Sequence, residues 1–142
     1  LTPEIIRLTG DEVIEFTIAD HDAEDRATME RHGIHTQPAH KAVSTGIQAV
    51  QSRLKMQGDG KARLYFERGA LVEVDEALRE AHKPICTEDE MPEYVWQKYP
   101  DGKPNKEQPV KMNDHGCDTT RYIVAEVDNQ GEMEVQENFL YN

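Results

Sequence analysis

The ten residues Asn113-Asp114-His115-Gly116-Cys117-Asp118-Thr119-Thr120-Arg121-Tyr122 place the strongest constraint on this chain. They gather two carboxylates and an imidazole, then lead into the apolar run Ile123-Val124-Ala125. Asn113 is a good N-cap, because its side-chain oxygen can accept from a free N–H of the first turn. Asp114 follows in that turn, where negative charge suits the helix dipole. The pattern predicts a helix from Asn113 to about Val127. At about 100° per residue, Cys117, Thr120, Ile123, Val124 and Val127 are expected on one face, and Asp114, His115, Asp118 and Tyr122 on the other. The apolar side would pin such a helix while the opposite side offers oxygen and nitrogen ligands. From the spacing alone two readings stay open: half of a metal site, or an amphipathic helix with a solvated acidic face.

The rest of the chain supplies elements for that helix to pack on. Leu1 to Gly10 reads as either a short helix or an ordered lead-in. Asp11 to Asp20 reads as a partly or fully buried strand, with Ile14, Phe16 and Ile18 alternating. A helical segment from Ala23 to His32 follows, stopped by Gly33. Asp20 thus falls at the carboxyl end of a strand, the edge where open α/β sheets bind ligands. Asp22 is expected to cap the helix. His21, beside Asp20, is expected on the opposite face and outside any site. Ile34 to Ala39 reads as a short strand and loop. His35 and His40 there read as surface or packing histidines. His40 to Met56 carries the clearest helical stripe, Val43, Ile47, Val50 and Leu54, with Gly46 beside it for close packing. Gln57 to Lys61 is a turn, Ala62 to Phe66 a short strand, and Leu71 to Ala81 a helix stopped by Pro84. Tyr94, Val95 and Trp96 read as core packing. Lys98 to Gln108 reads as an exposed loop. Asp128 to Gly131 reads as a turn, and Glu132 to Tyr141 as an edge strand or a loose tail.

A chain of 142 residues that is 37% apolar supports one core of ordinary size. The absence of an apolar run of about 18 residues argues against a membrane span. The start Leu-Thr-Pro-Glu is not that of a signal peptide. Cys86 and Cys117 fit no zinc spacing and are expected as free thiols of a cytoplasmic protein. The net charge of −12 repels nucleic acid over most of the surface, since DNA affinity comes from Lys and Arg on phosphate. Divalent metal at the acidic cluster would relieve that repulsion locally.

From about Val13 to Val127 the chain resembles the nuclease domain of tailed-phage terminase large subunits. The resemblance is carried by Asp114-His115-x-x-Asp118-x-x-Arg121-Tyr122 after the lead-in Gln108-Pro109-Val110-Lys111. It is supported by the strand ending in Asp20 and by the helix run Gly46-Ile47-Gln48-Ala49-Val50-Gln51-Ser52-Arg53-Leu54. It implies an α/β, RNase H-like fold, a mixed sheet flanked by helices. Residues 1–128 would be a partial nuclease domain and 129–142 a turn with a tail or edge strand. The family's first catalytic acid has no matching position, which implies a domain lacking its first strands and a fragment that is poor or inactive as a nuclease. No Walker A pattern occurs, so the family's packaging ATPase is absent from this chain.

The implied chemistry is metal-dependent hydrolysis of phosphodiester bonds in concatemeric double-stranded DNA. Two Mg²⁺ or Mn²⁺ ions, about 4 Å apart, would activate water and steady the leaving oxygen. Asp20, Asp118 and His115 are the implied catalytic ligands. Asp114 is either a further ligand or a group supporting one. Lys41 and Lys111 are the residues offered to DNA phosphate. Asp118→Asn is expected to keep the fold and lose cutting. In the whole protein the implied partners are DNA, an ATPase motor domain, a small terminase subunit and the portal, with no membrane, in the host cytoplasm. The alternative is a non-catalytic domain whose acidic face binds a basic protein partner.

Overall fold

In the computed structural model, which describes residues 2–20 and 22–140, the protein is mixed α/β, with 44% helix and 10% strand. Leu1, His21 and Tyr141 lie outside the described residues. The chain divides into two units, Leu1–His40 and Lys41–Asn142. The boundary expected between residues 128 and 129 falls inside the last helix, which runs to Leu140. Among the described residues the strands form two two-stranded sheets. No described helix is long and apolar enough to cross a membrane.

The first unit opens with helix α1, Thr2–Thr9, so the helical option for this segment holds. The expected ten-residue strand shrinks to β1, Ile18–Ala19. β1 pairs in parallel with β2, Gln37–Pro38, through Gln37 N–H to Thr17 O at 2.8 Å and Ala39 N–H to Ala19 O at 2.9 Å. One physical reason limits it: no described strand covers the earlier residues, so Val13 is 97% exposed and Ile14 half exposed. Between the strands lies α2, Ala23–Arg31. Asp22 caps it as expected, its Oδ1 accepting from Glu24 N–H at 2.9 Å and Asp25 N–H at 3.2 Å. Gly33, with φ +82°, releases the chain after the helix.

The second unit is built on α3, Val43–Leu54, and α6, His115–Leu140, which pack on each other. Ile47 and Val50 of α3 and Cys117 and Val124 of α6 are buried. Gly46 is required at the contact: a Cβ there would sit 2.6 Å from Cγ and 2.9 Å from Cδ of Arg121. Farther along, Arg53 Nε donates to Asp128 Oδ1 at 3.0 Å. Ala62 to Phe66 alternates in burial as a strand would, yet Arg63 N–H donates to Arg53 O of α3 at 2.7 Å, and among the described residues no strand forms there. The next expected helix shortens to α4, Glu76–Glu80, because Asp75 fixes its start by accepting from Ala77 N–H and Leu78 N–H. α5, Thr87–Glu90, runs into a 3₁₀ turn, Met91–Glu93.

The expected loop 98–108 is a β-hairpin. β3, Trp96–Lys98, pairs antiparallel with β4, Pro104–Pro109, and Gly102 at φ +82° makes the turn. Asp101-Gly102 is the local signal for that turn. α6 corrects the expected turn at Asp128–Gly131 and the strand or tail beyond it. A single glycine costs a helix only about 1 kcal/mol, and the flanking residues are mostly good helix formers.

Candidate functional site

Pro109 is buried, and Val110 N–H donates to Val95 O at 2.8 Å, so the end of the hairpin is held as it reaches Lys111. Asn113 then takes φ +51°, a left-handed conformation that asparagine tolerates, and turns the chain into α6. The first helical bond runs from Asp118 N–H to Asp114 O at 2.8 Å. Asp114, rather than Asn113, therefore stands at the start of the helix. Asn113 Nδ2 instead donates to Glu93 Oε2 at 3.1 Å. A free N–H of the first turn, that of Cys117, donates to Glu90 Oε2 of α5 at 2.9 Å. The cap is thus a carboxylate from another helix, well placed against the positive end of the dipole. Gly116 permits the approach, since a Cβ there would lie 2.9 Å from Thr87 Cβ and 3.0 Å from Glu90 Oε2.

The first turns of α6 carry a chain of charges. Asp118 Oδ1 accepts from Tyr94 Oη at 2.8 Å and from Arg121 Nη2 at 3.0 Å. Asp118 Oδ2 accepts from Lys111 Nζ at 2.6 Å. The same ammonium lies 3.0 Å from Asp114 Oδ2. That second contact is an ion pair without hydrogen-bond alignment, and Asp114 Oδ2 is a buried acceptor with no hydrogen bond. Arg121 is 2% exposed and also donates to Ala42 O, at the start of α3, at 3.4 Å. Its guanidinium carbon lies 4.8 Å from the Tyr122 ring centroid.

The charge states follow. Burial disfavours the Asp118 carboxylate, but hydrogen bonds from Lys111, Arg121 and Tyr94 outweigh it and hold the group below its ordinary range. The bond to Asp118 holds the Lys111 ammonium above its ordinary range against partial burial. Burial, reinforced by Asp118, pushes the Tyr94 phenol up to about 12. Burial beside Glu90 pushes the Cys117 thiol up to about 12, which makes it a packing group rather than a nucleophile.

The faces of α6 differ from those expected. Asp114, Cys117, Thr120, Arg121 and Val124 are buried, while Ile123 and Val127 are 39% and 40% exposed. The buried arc is centred on the row Asp114, Cys117, Arg121, Val124, which recurs at three and four residues. Ile123 and Val127 fall outside it, so the two aspartates face the protein and not solvent. Of the expected ligands, Asp114 and Asp118 come together, and Lys111 joins them. His115 is exposed at the start of the helix. Asp20 is exposed directly after β1 in the first unit, and Lys41 is exposed just ahead of α3. Among the described residues no group of three or more His, Cys, Asp or Glu side chains forms a ligand cluster.

Three participants escaped the sequence reading. Tyr94 reads as a core aromatic, and its hydroxyl partner lies far along the chain. Glu90 sits in an unremarkable acidic run. Arg121 is in the motif, and its spacing of three from Asp118 is the signal that would pair them. The donor set suits a hard cation. It has two carboxylates, and the buried Asp114 Oδ2 has an ammonium at 3.0 Å but no aligned hydrogen bond; Mg²⁺ is commonly held by one or two carboxylates with water and phosphate completing its shell. No family model matches the chain, and no curated protein or solved structure matches it.

Proposed function

We propose that this chain is part of a metal-dependent endonuclease domain of the kind found in tailed-phage terminase large subunits, RNase H-like in fold. The observation that supports this reading best is the meeting of the Asp114 and Asp118 Oδ2 atoms on one cation at the head of α6. The proposed substrate is concatemeric double-stranded DNA, and the proposed cofactors are two Mg²⁺ or Mn²⁺ ions. When bound, the ions supply an activated water and steady the leaving oxygen. Asp118, kept charged by its donors, would offer Oδ2. Asp114 would offer the Oδ2 that now faces the Lys111 ammonium. Asp20 and His115 complete the proposed ligand set, and an acid outside this chain completes the site. Arg121 and Tyr94 would hold the Asp118 carboxylate in one orientation. Lys41 and Lys111 would meet phosphate. The proposed setting is the host cytoplasm, with an ATPase motor domain, a small terminase subunit and the portal as partners.

The net charge of −12 favours one other reading, a non-catalytic acidic domain that binds a basic protein. Thermal scans with Mn²⁺, Mg²⁺ or EDTA separate the two. Millimolar Mn²⁺ should raise the melting temperature by several degrees, and Mg²⁺ by less. In the full-length protein Asp20→Asn should abolish plasmid cutting. No metal shift, together with partner capture that disappears in salt, would establish the interaction domain instead.

A further inference from the structure

The Lys111 ammonium reaches both aspartates, 3.0 Å from Asp114 Oδ2 and 2.6 Å from Asp118 Oδ2. Asp118 Oδ1 is committed to Tyr94 and Arg121, whose side chain is almost wholly buried and cannot leave without unmaking the helix contact. That leaves Oδ2, and its partner is Lys111 at 2.6 Å. Asp114 Oδ2 accepts no hydrogen bond and has the same ammonium at 3.0 Å. A second cation cannot use these two oxygens while the ammonium stays, because like charges would be forced to share them. Lys111 can leave. Its side chain is 58% exposed, against 11% and 15% for Asp114 and Asp118, and it reaches in from the exposed connection between β4 and α6 on a flexible stem.

We propose that Lys111 is a resident counter-cation of the Asp114–Asp118 pair, which a divalent ion must displace, so that Lys111 sets the metal affinity of the site. The inference rests on the metal-site reading above. It also gives Lys111 two successive partners. In the metal-free protein its ammonium offsets part of the charge of the two aspartates. Once displaced, it is free at the same edge to meet a DNA phosphate. Metal and DNA would then assist one another, because each takes one side of an ion pair that the protein otherwise closes on itself.

Calorimetric titration of Mn²⁺ into the parent chain and into Lys111→Met tests this. Methionine keeps much of the stem and removes the charge. Lys111→Met should bind Mn²⁺ at least about tenfold more tightly, because the ion no longer competes with a charged hydrogen bond. Lys111→Arg, which keeps the charge, should show no such gain. Equal or weaker binding by Lys111→Met, with measurable binding by the parent, would overturn the inference and leave the metal site standing. No binding by either protein would overturn both. A second measurement on the unmutated chain covers a variant that fails to fold. Acetylation of Lys111, followed by mass spectrometry, should accelerate severalfold when Mn²⁺ is added. An unchanged rate under saturating Mn²⁺ would overturn the displacement.

Discussion

Asp118→Asn removes the carboxylate charge at the centre of the α6 network, and the structure argues that the fold will register it. Arg121 and Asp118 have side chains only 3% and 15% exposed, and their 3.0 Å contact is the strongest counter-charge available to the guanidinium. Removing one partner of a buried pair costs about 3–5 kcal/mol, because the other charge is left without compensation. Asparagine still offers one oxygen to Tyr94 or Arg121, which places the loss near the lower end, about 3 kcal/mol. The contact with Lys111 adds little to this figure, since that ammonium is largely solvated. For a chain of this size about 3 kcal/mol corresponds to roughly 10 °C in melting temperature. Circular dichroism in a thermal scan, paired with urea titration, reads it directly. Adding Arg121→Met to Asp118→Asn should recover part of the loss, because the stranded charge is gone. An Asp118→Asn protein within about 1 kcal/mol of the parent would refute the buried-pair argument. The expectation that this substitution spares the fold is thereby revised, and loss of cutting by Asp118→Asn cannot on its own identify a ligand.

Two further outcomes follow from the same geometry. Gly116→Ala should cost about 1–3 kcal/mol by urea titration, since the new Cβ meets Thr87 and the Glu90 carboxylate that caps α6; Thr87→Ala should recover part of it. Acid should erase the contribution of Asp118: its folded pKa is depressed, so its stabilisation is full above the ordinary carboxylate range and is lost as pH falls below about 4. The stability gap between parent and Asp118→Asn should therefore narrow as pH falls below about 4 in parallel urea titrations.

What the sequence determined by itself is what local chemistry can decide. Asp22 caps α2 because an Asp side chain bonds its own nearby amides wherever the chain turns into a helix. The stripe through Ile47 and Val50 marks α3 and its buried side, and Gly46 marks its closest contact. The Asp118 to Arg121 spacing sets up an ion pair within one turn of α6. Tertiary structure decided the rest. A strand exists only where a partner supplies donors and acceptors, so Asp11–Asp20 and Ala62–Phe66 mostly failed to become strands, while 96–109 became a hairpin. The buried arc of α6 was set by what lies against it. α5 takes up Cys117 through Glu90 and α3 meets Arg121 at Gly46, while Ile123 and Val127 stay exposed. The meeting of Tyr94, Lys111, Asp114 and Asp118 brings together residues from before and after the β3–β4 hairpin. No periodicity encodes that convergence, because it depends on how the hairpin folds back on the head of α6.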